Sequence, residues 1–308
     1  MANVIEYAKV FQTELDAQMV AGATSGWMEL NANMVKYNGG NEVKIPKVLM
    51  DGLGDYDRSE GFVSGAVNLS YETHALTQDR GRTFTLDAMD VDESNFVLNA
   101  GSLLGEFQKT RVIPEVDAYR YSRIATKAIA GSKAVGGYTA ASTDILDKLL
   151  ADIYKVYDIV GEGTPLVISL NMSVAPVLDL SDKIVKRLDV IDFKQGEVNL
   201  KVRALDGIPI IRVPSARMKT AYIFNDGTTS GQEAGGFTAD VATKNINWII
   251  SAKNSTIAIS KTDNPRIFDP QTNQKANAWK IDYRKYHDLF IPDNKVNGIY
   301  VNIKEALA

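Results

Sequence analysis

The sequence predicts an α+β fold, and three observations carry that prediction. Apolar residues recur at helical spacing in several separate windows, among them 3–20 and 143–160. Short runs rich in Val, Ile and Leu read as strands: PLVISLN at 165–171, a buried one, then VNLKVRA at 198–204 and GIPIIRV at 207–214. Between residues 67 and 88 apolar and polar side chains alternate over a long stretch, the mark of an exposed antiparallel ribbon.

Taken in order, Val4, Ala8, Phe11, Leu15 and Met19 fall on one helical stripe that Gly22 closes, and this helix needs a surface to lie on. VKIPKVLM, 43–50, reads as a strand that Pro46 confines to an edge or a bulge. GLGDYDRSEGF, 52–62, offers turn residues and charge but little to bury. Val67, Leu69, Tyr71 and Thr73 alternate next, Asp79-Arg80-Gly81-Arg82 reads as a turn, and Phe84, Leu86 and Ala88 return. A two-stranded ribbon is marginal in water by itself. No neighbouring segment supplies support, so the ribbon is expected to reach out onto another molecule.

LDAMDVDES, 86–94, then places Asp87, Asp90, Asp92 and Glu93 close together. Asp90 and Glu93 have capping-box spacing before a helix carrying Phe96, Val97, Leu104 and Phe107. Acids at a helix start complement its dipole by roughly 0.3–1 kcal/mol each. The alternative is a divalent-metal hydrolase using Asp87, Asp90 and Asp92; carboxylates spread around a helix start do not converge, which favours the cap. Pro114 either kinks this helix or opens a second one, EVDAYRYSRIATKAIA. A helix over 143–160 has Leu146, Leu149, Leu150, Ile153, Val156 and Tyr157 as its apolar face, with Asp144, Asp147 and Asp152 on a solvated one. After the strand at 165–171, Val177, Leu180, Ile184 and Leu188 predict another helix. DGTTSGQEAGG, 226–236, is a surface loop; 246–260 and 279–303 are strand-like, with a hairpin signal at Asn297-Gly298.

Composition excludes several classes. The 308 residues suit two modest domains or one with large excursions. No stretch is long and apolar enough for a membrane span, and the first residues carry acids where a secretory signal would be basic. With no cysteine, thiolate catalysis, disulfides and cysteine–zinc sites are excluded, and His74 and His287 are too few for a multi-histidine centre. There is no GxSxG elbow, and GLGD at 52–55 is half of a glycine fingerprint. His287 reads as a core or interface residue, and nothing would hold His74 on the ribbon for catalysis. Tyr119, Tyr121, Trp279, Tyr283 and Tyr286 read as packing. The net charge of −4 is divided: residues 1–100 hold 15 acids against 7 bases, residues 244–308 hold 6 against 10. Such halves could meet within a subunit or between neighbours, and a dedicated nucleic-acid binder would be net basic. The residues thus describe a chain that binds or builds, with no catalytic constellation and no cofactor.

Four segments resemble the major capsid proteins of tailed bacteriophages: NGGNEVKIPKVLMDGLGDYDR, TQDRGRTFTLDAMDVDESNF, VIPEVDAYRYSRIA and RIFDPQTNQKANAWKIDYRKYHDLFIPDNKVNGIYVNI. The resemblance implies the Hong Kong phage capsid fold: an N-terminal arm at 1–38, an extended E-loop hairpin at 39–90, and a P domain with its spine helix at 91–134. An A domain follows at 135–250, and P-domain return strands at 251–308. It implies a structural protein, not an enzyme, that self-assembles through pentamers and hexamers into an icosahedral head. The head encloses double-stranded DNA without reading its sequence, and resides in the virion after assembly in the host cytoplasm. Scaffolding, portal and decoration proteins are the further partners it suggests. Two family features are not expected here: a long cleaved scaffolding segment has no room before the E-loop, and no lysine between Lys47 and Lys109 is present for E-loop crosslinking. An encapsulin-like nanocompartment is the architectural alternative. Candidate inter-subunit contacts are the acidic Asp55, Asp57, Glu60 and Asp79 against the basic Lys275, Lys280, Arg284 and Lys285 of a neighbour. Reversing Arg284 to Glu is then expected to impair assembly and leave the monomer folded.

Overall fold

The computed structural model describes residues 22–34, 36–37, 42–59, 61–89, 100–181, 188–195, 198–263, 265–273 and 275–307. The expected helix at 3–20, the cap at Asp90, Asp92 and Glu93, and Phe96, Val97, Glu60 and Ile184 lie outside them.

One helical rod organises the rest. It starts as α1 (Ala100–Phe107), widens to a π turn over Gln108–Val112, and continues as α2 (Ile113–Ala130). Pro114 has no N–H for the carbonyl four residues back, and it sits in the first turn of α2, directly after the widened turn, where the missing donor costs least. Val116, Tyr121, Ile124, Ala125 and Ala128 form the buried stripe of α2. Its polar residues are buried too. Asp117, 0% exposed, takes hydrogen bonds from Thr24 N (3.1 Å), Thr24 Oγ1 (2.8 Å), Ser25 N (3.1 Å), Ser25 Oγ (2.6 Å) and an Arg217 nitrogen (3.0 Å). Arg120 donates to Ser25 O at 3.3 Å and to Glu29 Oε1 at 2.5 Å. This network fastens a 3₁₀ segment, Gly26–Met34, across the rod.

A seven-stranded mixed sheet packs against α2. Its strands are β5 (Ala134–Val135), β6 (Leu166–Asn171), β7 (Leu188–Gln195), β8 (Val198–Leu205), β9 (Ile208–Val213), β12 (Ile246–Ala252) and β16 (Ile299–Ile303), in the order β5-β16-β12-β6-β9-β8-β7. α3 (Ile145–Val160) covers one face, where Leu146, Leu149, Ile153 and Val156 meet Leu166, Ile168, Leu170, Trp248 and Ile250. On the other face Val167, Ile211, Ile249 and Val301 meet Tyr121, Ile124 and Ala128, with Trp27 and Met28 from the 3₁₀ segment. Both faces of the central strands are therefore buried, which is why β6 and β12 are largely apolar along their whole length. Each such side chain contributes about 1.5–3 kcal/mol through burial.

Asp152 departs from its expected solvated face. It is 4% exposed and accepts from Trp248 Nε1 (3.2 Å), Asn302 Nδ2 (3.1 Å) and Lys155 Nζ (3.0 Å). The helix expected through Leu188 is shorter than its pattern: α4 spans Ala175–Asp179, Leu180 is exposed, and Leu188 opens β7.

A second sheet is built on β15 (Ala278–Phe290), which pairs on one side with β13 (Ile257–Asp263) and β14 (Arg266–Phe268) and on the other with β4 (Gln78–Asp87). Here the sequence reading needs two corrections. Asp79-Arg80-Gly81-Arg82 is no turn; it runs straight through β4, and Gly81 is required because a Cβ there would lie 2.8 Å from Tyr283 O. Asn297-Gly298 is no hairpin either. It closes a 3₁₀ turn, Asp293–Gly298, and β16 pairs with β12 and β5 instead of β15. A Cβ at Gly298 would overlap Ser255 Oγ, so close packing, not turn geometry, selects the glycine.

The ribbon consists of β2 (Glu42–Met50) and β3 (Val67–Ala75), paired in register from Glu42↔Ala75 to Met50↔Val67. The short β1 (Lys36–Tyr37) pairs only with the root of β2. The last hairpin is β10 (Tyr222–Phe224) with β11 (Phe237–Ala239).

Candidate assembly surface

The ribbon divides into a rooted half and a bare half. At its root Val43, Ile45 and Leu76 are buried against Ile257, Ile259, Tyr286 and Phe290. His74 stacks on Phe290 with ring centroids 4.8 Å apart, and its Nε2 lies 2.8 Å from Glu72 Oε1. Where β3 passes to β4, Thr77 donates its N–H and its hydroxyl to Asp288 Oδ2, each at 2.8 Å, and Tyr119 donates to Asp288 Oδ1 at 2.6 Å. Burial and the Asp288 carboxylate push the Tyr119 phenol well above its usual range, so it remains a donor. His287 is buried beside it, edge-on to Tyr119 at 5.6 Å, and burial keeps its imidazole neutral, as a core residue.

Beyond Lys47 the apolar side chains of the ribbon are exposed among the described residues. Val48, Leu49, Met50, Val67, Leu69 and Tyr71 are exposed, and at the tip Leu53 is 107% and Phe62 89% exposed. The tip holds itself together with little. Tyr56 and Phe62 touch at 4.9 Å, Ala66 N donates to Asp51 Oδ2 at 2.7 Å, and Asp57 and Gly61 exchange backbone bonds of 3.1 and 2.8 Å. A contiguous apolar surface of this extent on a thin element marks an interaction site. The sequence reading underrated it, because Leu53, Tyr56, Phe62 and Val63 are interleaved with glycine and charge; their isolation in a turn-rich stretch was the available signal.

The charged candidates separate into three groups. Asp55 and Asp57 are exposed at the tip, where Asp57 Oδ1 accepts from Ser59 N at 2.6 Å; Glu60 lies outside the described residues. Lys275 is on an exposed turn, and Lys280 bonds Asp282 at 3.1 Å. Asp79 and Arg284 meet within one chain, a correction to their pairing across copies: two guanidinium nitrogens of Arg284 bond Asp79 Oδ1 and Oδ2 at 2.8 and 2.5 Å, because β4 and β15 are adjacent. The hydrogen bond from Arg284 holds the Asp79 carboxyl below its usual range. Lys285 is 2% exposed and presents no charge to the outside. Since both partners of the Asp79–Arg284 pair are largely solvated, Arg284→Ala is expected to leave the urea unfolding midpoint nearly unchanged. A marked fall would show that the pair locks the two strands.

Asp87 Oδ1 caps Met89 N at 2.9 Å at the end of β4. Among the described residues no group of three or more His, Asp or Glu side chains is placed to hold a metal, and no helix is long and apolar enough to cross a membrane.

A ribbon rooted beside a long helical rod, with a helix-backed sheet at the far end of that rod's sequence, recurs in solved structures. The mature capsid of bacteriophage PhiM1 is similar with a TM-score of 0.56 and 13% identity over 88% of this chain and 84% of that one. The capsid of cyanophage P-SCSP1u gives 0.57 and 11%, covering 88% and 86%. A virus-like particle from Pyrococcus furiosus gives 0.54 and 9%, covering 97% and 100%. The chain has the phage capsid fold. No family model matches its sequence and no curated protein matches it, so at this identity the capsid fold is conserved in three dimensions where the residues are not.

Proposed function

We propose that this chain is the major capsid protein of a tailed bacteriophage, a structural subunit that self-assembles into an icosahedral head around double-stranded DNA. One observation carries the reading: a fully paired ribbon keeps an apolar outer half that is exposed among the described residues. Such a surface is costly in a solitary protein and useful only against a neighbour. The ribbon belongs to the E-loop, 39–90; the rod lies in the P domain, 91–134 with 251–308; β6 to β9 of the helix-backed sheet and most of β12 belong to the A domain, 135–250, with β16 joining that sheet from the last segment; and 1–38 is the arm. Identical subunits repeating the same contact close around symmetry axes, and a subunit held by several neighbours needs no single strong contact. A net charge of −4 suits a container wall that DNA must slide past. Scaffolding, portal and decoration proteins are its expected partners, the virion its destination.

Negative-stain microscopy of the purified protein, after size-exclusion chromatography, tests this. Closed polyhedral shells or rings of subunits are expected, and shell diameter separates a phage head from a nanocompartment built on the same fold. A monomer that stays monomeric at high concentration, alone and when expressed with the head genes of its source, would refute the shell reading.

A further inference from the structure

We propose that the ribbon tip of one copy seats in a cleft of the next, formed between β4, the start of α2 and the loop that joins β10 to β11. This rests on the shell reading and names the acceptor within it. The cleft is a cavity of about 520 Å³, a size that elsewhere encloses a small ligand and here would take a few side chains. Its floor is apolar, made by Phe84, Phe107, Val116 and Tyr283, while Arg82 and Arg111 are exposed along its side.

The far wall is fixed in advance. Arg80 reaches from β4 to Glu115 on α2 and donates to Asn225 O (2.9 Å) and Gly236 O (3.2 Å) at both ends of the loop. Arg82 donates to Glu233 O at 3.2 Å. The positive φ of Gly227 and Gly235 lets the loop backbone approach the Arg82 guanidinium, which a Cβ at Gly227 would meet at 3.1 Å. A wall held this way costs little to order when something binds against it.

The tip has the matching composition. Leu53, Tyr56 and Phe62 offer apolar bulk, and the Asp55 carboxylate beside them suits Arg82 and Arg111. A chain cannot fill its own cleft. Continuous pairing from Glu42↔Ala75 to Met50↔Val67 holds the tip roughly 30 Å from the ribbon's root, whereas β4, which lines the cleft, begins at Gln78 beside that root. Only a second copy's tip can enter. The contact is thus head-to-tail, the kind that closes into a ring when its rotation divides a circle.

The absence of cysteine makes a direct test possible. Leu53→Cys at the tip and Ala234→Cys on the loop would be combined in one chain, assembled, and treated with a short bismaleimide. A ladder of covalent oligomers extending past dimer on a denaturing gel is expected, with each single variant stopping at dimer. Shells that form normally but give no ladder beyond the single variants would overturn the acceptor assignment and leave the shell reading intact. No shells and no ladder for any variant, with the unmodified chain also monomeric, would overturn both. Charge reversal gives an independent measurement. Arg111→Glu should lower shell yield at least tenfold and Asp55→Lys in the same chain should restore it; a yield unchanged by Arg111→Glu counts against the cleft.

Discussion

Asp117→Ala is expected to be the most damaging single substitution in the monomer, at about 3–5 kcal/mol, or roughly 10 °C in thermal midpoint. Asp117 is fully buried and accepts from Thr24, Ser25 and Arg217. Removing it takes the partner from the half-buried Arg217 guanidinium and from the Thr24 and Ser25 N–H and hydroxyl donors, of which those of Ser25 are fully buried. The damage extends along the chain. Ser25 also receives Arg120, whose other nitrogen holds Glu29, so the 3₁₀ segment carrying the buried Trp27 and Met28 loses its fastening to α2. Asp117→Asn keeps the shape and one acceptor, and should cost less. Urea unfolding of both variants checks this; a loss under about 1 kcal/mol for the alanine variant would mean that the segment is held by its apolar residues alone.

Removing the bare ribbon should do the reverse, leaving the fold and abolishing the assembly. Val48 pairs with Leu69 at the point where the ribbon leaves its root, so excising 48–69 and joining Lys47 to Ser70 through Asn-Gly preserves the hairpin. The excised residues bury almost nothing in their own chain, and stability should change by no more than about 1 kcal/mol. Shell formation should be lost altogether, as read by light scattering and microscopy. Shells at unchanged yield would remove the ribbon from the assembly. A folded chain destabilised by several kcal/mol would show that the outer ribbon packs on its own body.

Much of this architecture was legible in the residues because burial leaves a period. The stripe on α3 and the largely apolar runs of β6 and β9 each reported how many faces are covered. Pairing partners left no such mark. Asp79-Arg80-Gly81-Arg82 has the composition of a turn, yet Asp79 is taken up by Arg284, Arg80 by Glu115, and Gly81 by its close approach to Tyr283. Those partners lie far off in sequence, so a local reading assigns the residues to solvent. Asp152 was hidden likewise: its spacing shows which way it faces on α3, but not that Trp248 and Asn302 wait there as donors. The site was legible by elimination. The expected ribbon of 67–88, however, was wrongly paired: β3 takes β2 as its partner and β4 takes β15, and the charges picked out for an external partner were in part already neutralised at home.

The position of β15 carries a consequence for the order of events in the cell. The strand that roots the ribbon through β4, and whose Asp288 clamps Thr77, spans Ala278–Phe290, some two hundred residues after the ribbon it secures. Contacts so distant in sequence form late. On the ribosome, the sticky hairpin is made early but has no base until this late strand emerges, so an unfinished chain cannot present it in a usable geometry. On the proposed shell function, synthesis would thereby guard against polymerisation on the polysome, a subunit becoming competent to join neighbours only when it is nearly complete.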